Sequence, residues 1–358
     1  MNKIKFKLFN TYFVLLVLSG GVSMAQIDNV DFLRAGASDG MKIIKAYISP
    51  WANAFGAGLN GGWYNTAKPH KLGGFDITTS INIGVVPKSA GTFNVSDLNL
   101  KTLQGSGTSP TISGPDIEGP KLTKTENGIE LASFSLPPGT GWRYIPAPTL
   151  QAGIGLPFGT EIKVRFIPKI NMKENGSLGL WGVGIMHSII QYLPGSKLLP
   201  LDVSLFGGYT KLNGDIAVSL QPDPEVPQNY SIYNISTSFN DQNISSTVKA
   251  LNFGLLGSAN IAVLNIYGGI GYSNTKTKVA LEGNFPTPVL VAEGTPHAEY
   301  NDSGVLKGSD IEPLEIKNFS GMRFNIGLRI KLAFMTIHAD YTKANYNVFS
   351  GGIGISFR

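Results

Sequence analysis

Apolar residues occupy every second position from Phe324 to Leu332, and again from Met335 to Tyr341. The side chains of a β-strand point alternately to opposite faces, so each half of this segment has one apolar and one polar face. The phase shifts by one residue between the two halves. This shift predicts a hairpin whose short turn, at residues 333–334, pairs Leu332 with Met335.

The same alternation recurs along most of the chain and predicts an all-β fold of about 12–14 strands. Two kinds of connection separate the alternating runs: tight ones with few polar residues, and long ones rich in Gly, Ser, Pro, Asn and Asp. The clearest further strands are predicted at Asp76–Val85, Leu150–Leu156, Ile162–Phe166, Gly179–Ile190, Leu201–Thr210, Val248–Gly257, Ile261–Ser273 and Asn347–Phe357.

Tight turns alternate with long polar connections near residues 101–141, 212–246 and 282–320. Short periplasmic turns and long extracellular loops are typical of outer-membrane barrels. A secreted β-sandwich is the alternative, because it also has one apolar face per strand. Runs of about 10–12 residues match the length of a tilted membrane crossing better than they match the length of a typical soluble strand. We therefore predict a closed antiparallel transmembrane β-barrel.

The first 25 residues read as a secretory signal peptide. Three lysines precede the apolar run "YFVLLVL", and small residues in "SMA" lead to a cleavage site before Gln26. The apolar run is short for a membrane-spanning helix, which needs about 20 residues. Together with the barrel pattern, the signal predicts the outer membrane of a Gram-negative bacterium.

Charge and composition exclude several functions. Removal of three lysines with the signal leaves 26 basic and 24 acidic residues, a net charge of +2, which gives no support for nucleic-acid binding. The chain has no Cys and four scattered His without metal-binding spacing, so we expect no metal and no cofactor. His187 and Ser188 are adjacent on one strand and cannot act as a catalytic pair, so an enzyme is not expected.

The segment of residues 26–53 differs from the barrel, residues 54–358, because it predicts a short helix. Ser38 or Asp39 can cap this helix, and Pro50 is expected to end it. Inside the barrel it would plug the periplasmic half of the lumen and leave an apolar pocket above; outside, it would be a handle for a partner. The apolar side of the predicted plug consists of Ile43, Ile44, Tyr47, Ile48 and Trp51.

A second candidate site lies on the polar face of the predicted strands. In a barrel this face lines the lumen, where the charges either are simply solvated or form a constriction for an acidic or amphipathic solute. The patch consists of Arg165, Arg329, Lys331, His338 and Asp340.

Two stretches, "GGWYNTAKPHKLGGFD" and "HSIIQYLPG", resemble an uncharacterised family of outer-membrane proteins of Bacteroidota, a domain of unknown function. By its layout, the chain is also similar to the long-chain fatty-acid transporter (FadL-like) barrels, which implies a barrel with an N-terminal hatch. The family resemblance implies no established activity. The plug and the likeness in layout favour passive uptake of a small hydrophobic or amphipathic solute by a monomer. The alternative is a scaffold barrel that binds partner proteins of a secretion or assembly complex.

Overall fold

The computed structural model describes residues 33, 36–171, 176–194, 200–222, 233–291 and 297–357, with the backbone alone at Ala37 and residues 317–319. The predicted signal peptide lies outside the described residues. Ten strands form a closed barrel. They are β1 (Phe75–Val85), β2 (Tyr144–Leu156), β3 (Thr160–Asn171), β4 (Ser177–Ser188), β5 (Leu201–Ala217), β6 (Asn243–Ile261), β7 (Leu264–Glu282), β8 (Leu314–Leu332), β9 (Met335–Lys343) and β10 (Asn347–Phe357).

Every barrel strand pairs antiparallel with the next one along the chain, and β10 closes the cylinder against β1. At this seam Phe75 lies opposite Phe357 on one side and opposite Ile154 of β2 on the other. The predicted hairpin is confirmed, since Leu332 pairs with Met335. The prediction of a closed antiparallel barrel is therefore confirmed.

The barrel has ten strands rather than the predicted 12–14. The difference arises because β5 to β8 are 17 to 19 residues long and use chain that looked like loop. The remaining loop segments pair among themselves in small sheets, outside the wall. Their strands are Thr92–Asn94, Leu103–Gln104, Thr108–Pro110, Lys121–Glu126, Ile129–Ser135, Tyr233–Asn234, Asn284–Pro286, Val289–Val291, His297–Asn301 and Val305–Lys307.

The two ends of the barrel differ as the sequence predicts. At the short-turn rim, two residues join β6 to β7 and two join β8 to β9. At the opposite, long-loop rim, residues 86–143, 218–242 and 283–313 connect the strands. The second and third loops are shorter than predicted, because strands extend into residues 212–217, 243–246 and 314–320.

Outward-facing side chains between the two rims are large and apolar. On β8, for example, Phe324, Ile326, Leu328 and Ile330 are all exposed, whereas Arg323, Asn325 and Arg329 face inward and are buried. A soluble sandwich would bury the apolar face, so this arrangement contradicts that alternative.

A long helix, α1 (Ala37–Leu59), occupies the interior. It does not end at Pro50, as predicted, but continues for nine further residues. Proline inside a helix removes one backbone hydrogen bond. Burial of the helix against the surrounding wall outweighs that cost. Local sequence rules for helix ends do not take such burial into account. No helix in the described part of the chain is long and apolar enough to cross a membrane.

The helix touches the wall most closely at Gly84 of β1, where an added Cβ would meet the carbonyl oxygen of Ala54. Backbone cannot move aside as a side chain can. We expect Gly84→Ala to destabilise the plugged barrel by about 1–3 kcal/mol through overpacking. Urea unfolding in detergent measures this. The control is Gly257→Ala, where the Cβ would meet nothing within 4 Å; equal losses in the two variants would contradict the close approach.

Candidate functional site: a lumen filled by the chain's own N-terminal segment

The N-terminal half of α1 lies at the long-loop rim, not in the half of the lumen next to the short turns, where the plug was predicted. Ile43 and Ile44 are buried in one apolar cluster with loop residues Leu103, Leu122 and Phe134. The loops therefore fold over the helix and fill the space where an apolar pocket was expected. Hydrophobic burial explains this position, because the loops supply apolar partners for the N-terminal half of the helix.

The other predicted plug residues continue the same contact surface downward. The Tyr47 hydroxyl donates to the carbonyl of Pro138 in the first long loop, at 2.8 Å. Ile48 and Trp51 are half-buried and pack against a second cluster that includes Ala52, Val279 and Ile316. All five predicted plug residues thus belong to the surface of α1 that packs against the wall or the loops.

Asp39 fastens the first turn of α1 to the loops. Its Oδ2 accepts hydrogen bonds from the backbone N–H groups of Lys101, Thr102 and Leu103 at 2.8, 2.7 and 3.3 Å. Burial by itself raises the pKa of this carboxyl, but these hydrogen bonds to its charged form outweigh burial and lower the pKa below its usual 3.8.

Because the pKa of Asp39 is lowered in the folded state, its contribution to stability is complete above pH 3.8, the ordinary pKa. This contribution is lost as the pH falls through the lower pKa of the folded state. We expect Asp39→Asn to cost about 1–3 kcal/mol at neutral pH, because four donors, the three N–H groups and the Thr102 hydroxyl, lose a charged acceptor. Thermal melts at pH 7 and at pH 3 measure this, and the deficit should shrink at the lower pH. Asp116→Asn, an exposed control, should change neither value; a pH-independent deficit would contradict the assignment.

The C-terminal end of α1 is held by two arginines from the barrel wall. Arg165 of β3 donates to the carbonyls of Leu59 and Gly61, both at 2.7 Å, and Arg323 of β8 donates to the carbonyl of Asn60 at 2.6 Å. Helix ends leave carbonyls without intrahelical partners and carry partial negative charge, which cations stabilise. Since β3 and β8 lie five strands apart in a ten-stranded ring, the end of the helix is clamped from opposite sides.

Below the helix, residues 60–74 form the linker, which runs through the lumen to the start of β1. Trp63 is fully buried, and the Arg165 guanidinium stacks on its ring at 3.7 Å. Trp63 and Tyr64 pack on Met186, Phe206 and Leu256 of β4 to β6. This side of the lumen is therefore apolar.

The adjoining part of the lower lumen, on β3 and the seam strands, is charged, and Glu161 there lies directly beside Met186 of the apolar group in the register. Glu161 of β3 accepts hydrogen bonds from the backbone N–H of His70 at 2.8 Å and pairs with Lys163. The His70 ring contacts Glu161 at 2.9 Å and Ser356 at 3.0 Å, which links the linker to the seam strand β10. All of these side chains are at least nine-tenths buried. A buried, hydrogen-bonded charge cluster of this kind fixes the position of the linker.

His70 and Glu161, together with the buried Asp76 of β1, offer ligand atoms within 4.8 Å of one another. The donor set does not suit a metal ion, however, because the Lys163 ammonium pairs with Glu161 and lies 3.8 Å from Asp76. A fixed cation at that point repels a second one. The cluster is better described as an internal salt bridge than as a metal centre.

Four residues of the predicted lumen patch lie together on β8 and β9, and the fifth lies across the barrel. Asp340 accepts from Tyr267 at 3.0 Å and from Asn325 at 2.8 Å. His338 lies 3.4 Å from the Ser80 hydroxyl and opposite Arg329 in the register, and Lys331 donates to Ser356 at 3.1 Å. Arg165, on β3, instead holds the helix end. The predicted patch therefore divides in two: four residues form a cluster on the wall, and Arg165 is one of the two arginines that hold the end of α1.

A model of one protein family matches residues 1–357. The chain belongs to DUF6588, a family of unknown function. This agrees with the resemblance to an uncharacterised family, and it places the entire barrel within the match. No curated protein sequence matches the DUF6588 chain.

Solved structures similar to the DUF6588 chain are barrels of known outer-membrane proteins. Ail of Yersinia pestis is 8% identical over 80% of this chain and 98% of its own, with a TM-score of 0.25. The translocator domain of the autotransporter NalP from Neisseria meningitidis is 11% identical over 81% and 89%, with a TM-score of 0.30. The outer membrane protease OmpT of Escherichia coli is 9% identical over 80% and 94%, with a TM-score of 0.28. Likeness at this level carries no argument about activity.

Several residues of this DUF6588 barrel were missed in the sequence. Arg323 lies two positions before Asn325 on the same polar face, so extending the alternation by one step would have included it. Glu161 and Lys163 were recognisable as inward-facing. His70 and Trp63 carry no local signal, because the linker has no periodic pattern from which the facing of its side chains follows.

Proposed function

We propose that the protein is an outer-membrane β-barrel of a Gram-negative bacterium, of the Bacteroidota by its sequence resemblance, exported by the signal peptide. The outward apolar belt supports insertion, since such a continuous surface is stable only against lipid. Aromatic side chains flank the belt, as expected at membrane interfaces. Ring pairs lie toward the long loops at Trp181–Tyr209, Phe253–Tyr272 and Tyr341–Phe349, and at the short turns at Phe75–Phe357 and Phe334–Phe357.

Within that membrane, the protein admits a small amphipathic solute with an acidic group. The observation that carries this proposal is the mixed lining of the lower lumen, where the apolar Met186, Phe206 and Leu256 adjoin a group of buried charges. The inward charges have a positive excess, which suits an acid. The cations are Lys163, Arg165, Arg323, Arg329 and Lys331, and the anions are Asp76, Glu161 and Asp340. A purely hydrophobic solute fits this wall less well.

Passage requires the plug and linker to shift, because they fill the lumen in the structure. The wall retains a polar face that water can solvate once the linker moves away. Contacts made of hydrogen bonds and ion pairs exchange with water at a small net cost. The layout of a barrel with an internal N-terminal segment is what the likeness to fatty-acid transporter barrels implies. In this proposal the helix is a gate, and uptake is passive and needs no partner.

A disulfide between helix and wall tests whether the gate must move. The chain has no Cys, so Gly56→Cys with Thr275→Cys introduces a single pair. A Cβ at position 56 would lie 3.2 Å from the Thr275 Cβ, close to the 3.5–4.5 Å that separates the Cβ atoms of a disulfide. Replacing Thr275 by Cys also removes the Cγ2 methyl group that would collide with the new Cβ. The assay is efflux of benzenesulfonate, an amphipathic anion, from vesicles that contain the folded variant.

We expect the oxidised variant to release benzenesulfonate at the rate of empty vesicles, and the reduced variant to match the wild type. The two single-cysteine variants control for the substitutions themselves. Equal efflux in the oxidised and reduced forms would contradict a moving gate. Wild-type efflux no faster than that of empty vesicles would contradict solute uptake altogether.

A scaffold role is the second candidate, and the ordered loops favour it. Leu220 and Phe285, from the second and third loops, are buried together with helix residues in a single apolar cluster, so the described parts of the loops form a folded cap. A rigid cap can present a fixed surface to partner proteins. Crosslinking after mild detergent extraction distinguishes the roles: a solute channel should run alone, and a scaffold should capture partners.

A further inference from the structure

A row of lysines crosses three neighbouring strands on the outside of the barrel. Lys211 of β5 lies directly opposite Lys249 of β6, which lies opposite Lys276 of β7. In the backbone register the next position, on β8, is Lys317. Directly opposed residues have Cβ atoms about 4.5–5.5 Å apart, so Lys211, Lys249 and Lys276 span about 10 Å. We call these three residues the lysine row.

The lysine row lies at the boundary between the apolar belt and the polar top of the wall. Two residues closer to the short-turn rim, the outward positions are Tyr209 and Leu251. Trp181 is the register neighbour of Lys211 on β4 and is exposed. In the opposite direction the outward positions are polar, with Thr247 opposite Lys278. The row is thus at the depth where lipid headgroups meet the barrel.

The row has an unbalanced charge. Like charges directly opposite each other on neighbouring strands are destabilising. Lys278, one outward position further up β7, pairs with Glu315 at 2.8 Å. Within the part of the chain that the structure describes, no carboxylate lies within 4 Å of Lys211, Lys249 or Lys276. An anion from outside the protein is the natural counter-charge.

We propose that the lysine row binds the phosphate groups of lipids in the leaflet that faces the long loops. The lipid phosphate lies on the lysines, and its acyl chains lie on the apolar positions below, among them Leu251 and Phe253. A free anion could satisfy the charge, but only a lipid also uses the adjoining apolar belt. The inference rests on the membrane insertion proposed above, although not on solute uptake.

The test uses native mass spectrometry of the folded, detergent-solubilised protein. The probes are lipid A, which carries two phosphates on an acylated disaccharide, and the same lipid after enzymatic dephosphorylation. The main variant is Lys211→Gln, Lys249→Gln and Lys276→Gln combined. Since a lysine near an anionic lipid surface contributes roughly a factor of five in affinity, we expect the triple variant to bind lipid A about a hundred-fold more weakly.

Two controls locate the effect. Lys278→Gln removes an exposed lysine of the same face that already has a partner, and it should leave lipid A binding within about two-fold of the wild type. A combined Lys88→Gln, Lys121→Gln and Lys307→Gln variant removes the same charge from exposed loop positions, and it should do likewise. Folding of every variant is checked by its heat-dependent migration in gels.

The outcomes separate the alternatives. Binding that survives dephosphorylation, or that falls equally in the loop triple variant, overturns the proposal. Displacement of lipid A by millimolar inorganic phosphate also overturns it, because the row would then be a site for free anions. A wild-type protein that fails to insert into vesicles refutes the membrane proposal itself, and that result is read from vesicle flotation independently of lipid A.

Discussion

Replacement of both wall arginines, Arg165→Ala with Arg323→Ala, should release the end of α1 and open the lumen. The two side chains donate to the carbonyls of Leu59, Asn60 and Gly61. The Asn60 carbonyl keeps a second donor, Asn252, at 3.0 Å, so two carbonyls lose their wall donor. An unsatisfied buried group costs about 1–3 kcal/mol. A decrease of about 2 kcal/mol in the free energy that favours the plugged over the open state raises the open fraction roughly thirty-fold.

Ion conductance across planar bilayers measures this opening directly, and limited proteolysis at the linker reports exposure of the plug. The matched control is Arg143→Ala. Arg143 also donates through its guanidinium to a backbone carbonyl, that of Val86, but outside the helix clamp. We expect wild-type conductance from the control. If the double variant and the control conduct alike while both barrels remain folded, the clamp does not hold the plug.

Replacement of Glu161 by alanine should be the most damaging single change in the lower lumen. It leaves Lys163 buried, with Asp76 as the nearest acid at 3.8 Å, and removes the acceptor of the His70 backbone N–H. Removing one partner of a buried ion pair costs about 3–5 kcal/mol, because the remaining charge is uncompensated. Urea unfolding of the detergent-folded barrel, followed by tryptophan fluorescence, gives the loss.

The double variant Glu161→Ala with Lys163→Met distinguishes the cost of an unpaired buried charge from the cost of lost packing. Removal of both charges should restore at least half of the stability lost in the single variant, since no unpaired ion is left. Glu161→Gln keeps an acceptor for His70 without the charge and should fall between the two. A double variant as unstable as Glu161→Ala would show that the salt bridge is not what matters at this position.

The sequence predicted the barrel because its period of two is a local property. Phe324 to Leu332 shows its two faces without any knowledge of the neighbouring strands, and the phase shift specifies the hairpin that the structure contains. The inward position of Arg329 and His338 follows from the same alternation. These predictions needed only the geometry of one extended chain.

The features that sequence could not give depend on contacts between distant segments. Strand number was overestimated because the short strands within the long loops pair with one another and do not join the wall. The passage of α1 through Pro50 depends on the wall that surrounds it. The lysine row requires the register of three strands, because Lys211, Lys249 and Lys276 are far apart along the chain.

The seam between β1 and β10 has a consequence for biogenesis. The cylinder closes only where β1 meets β10, with Phe75 opposite Phe357, and α1 with its linker lies inside the closed wall. A folded helix with its cap of loops cannot be threaded through a finished wall. We therefore expect the N-terminal segment to nucleate assembly, with the sheet wrapping around it as an internal template before the two edges meet.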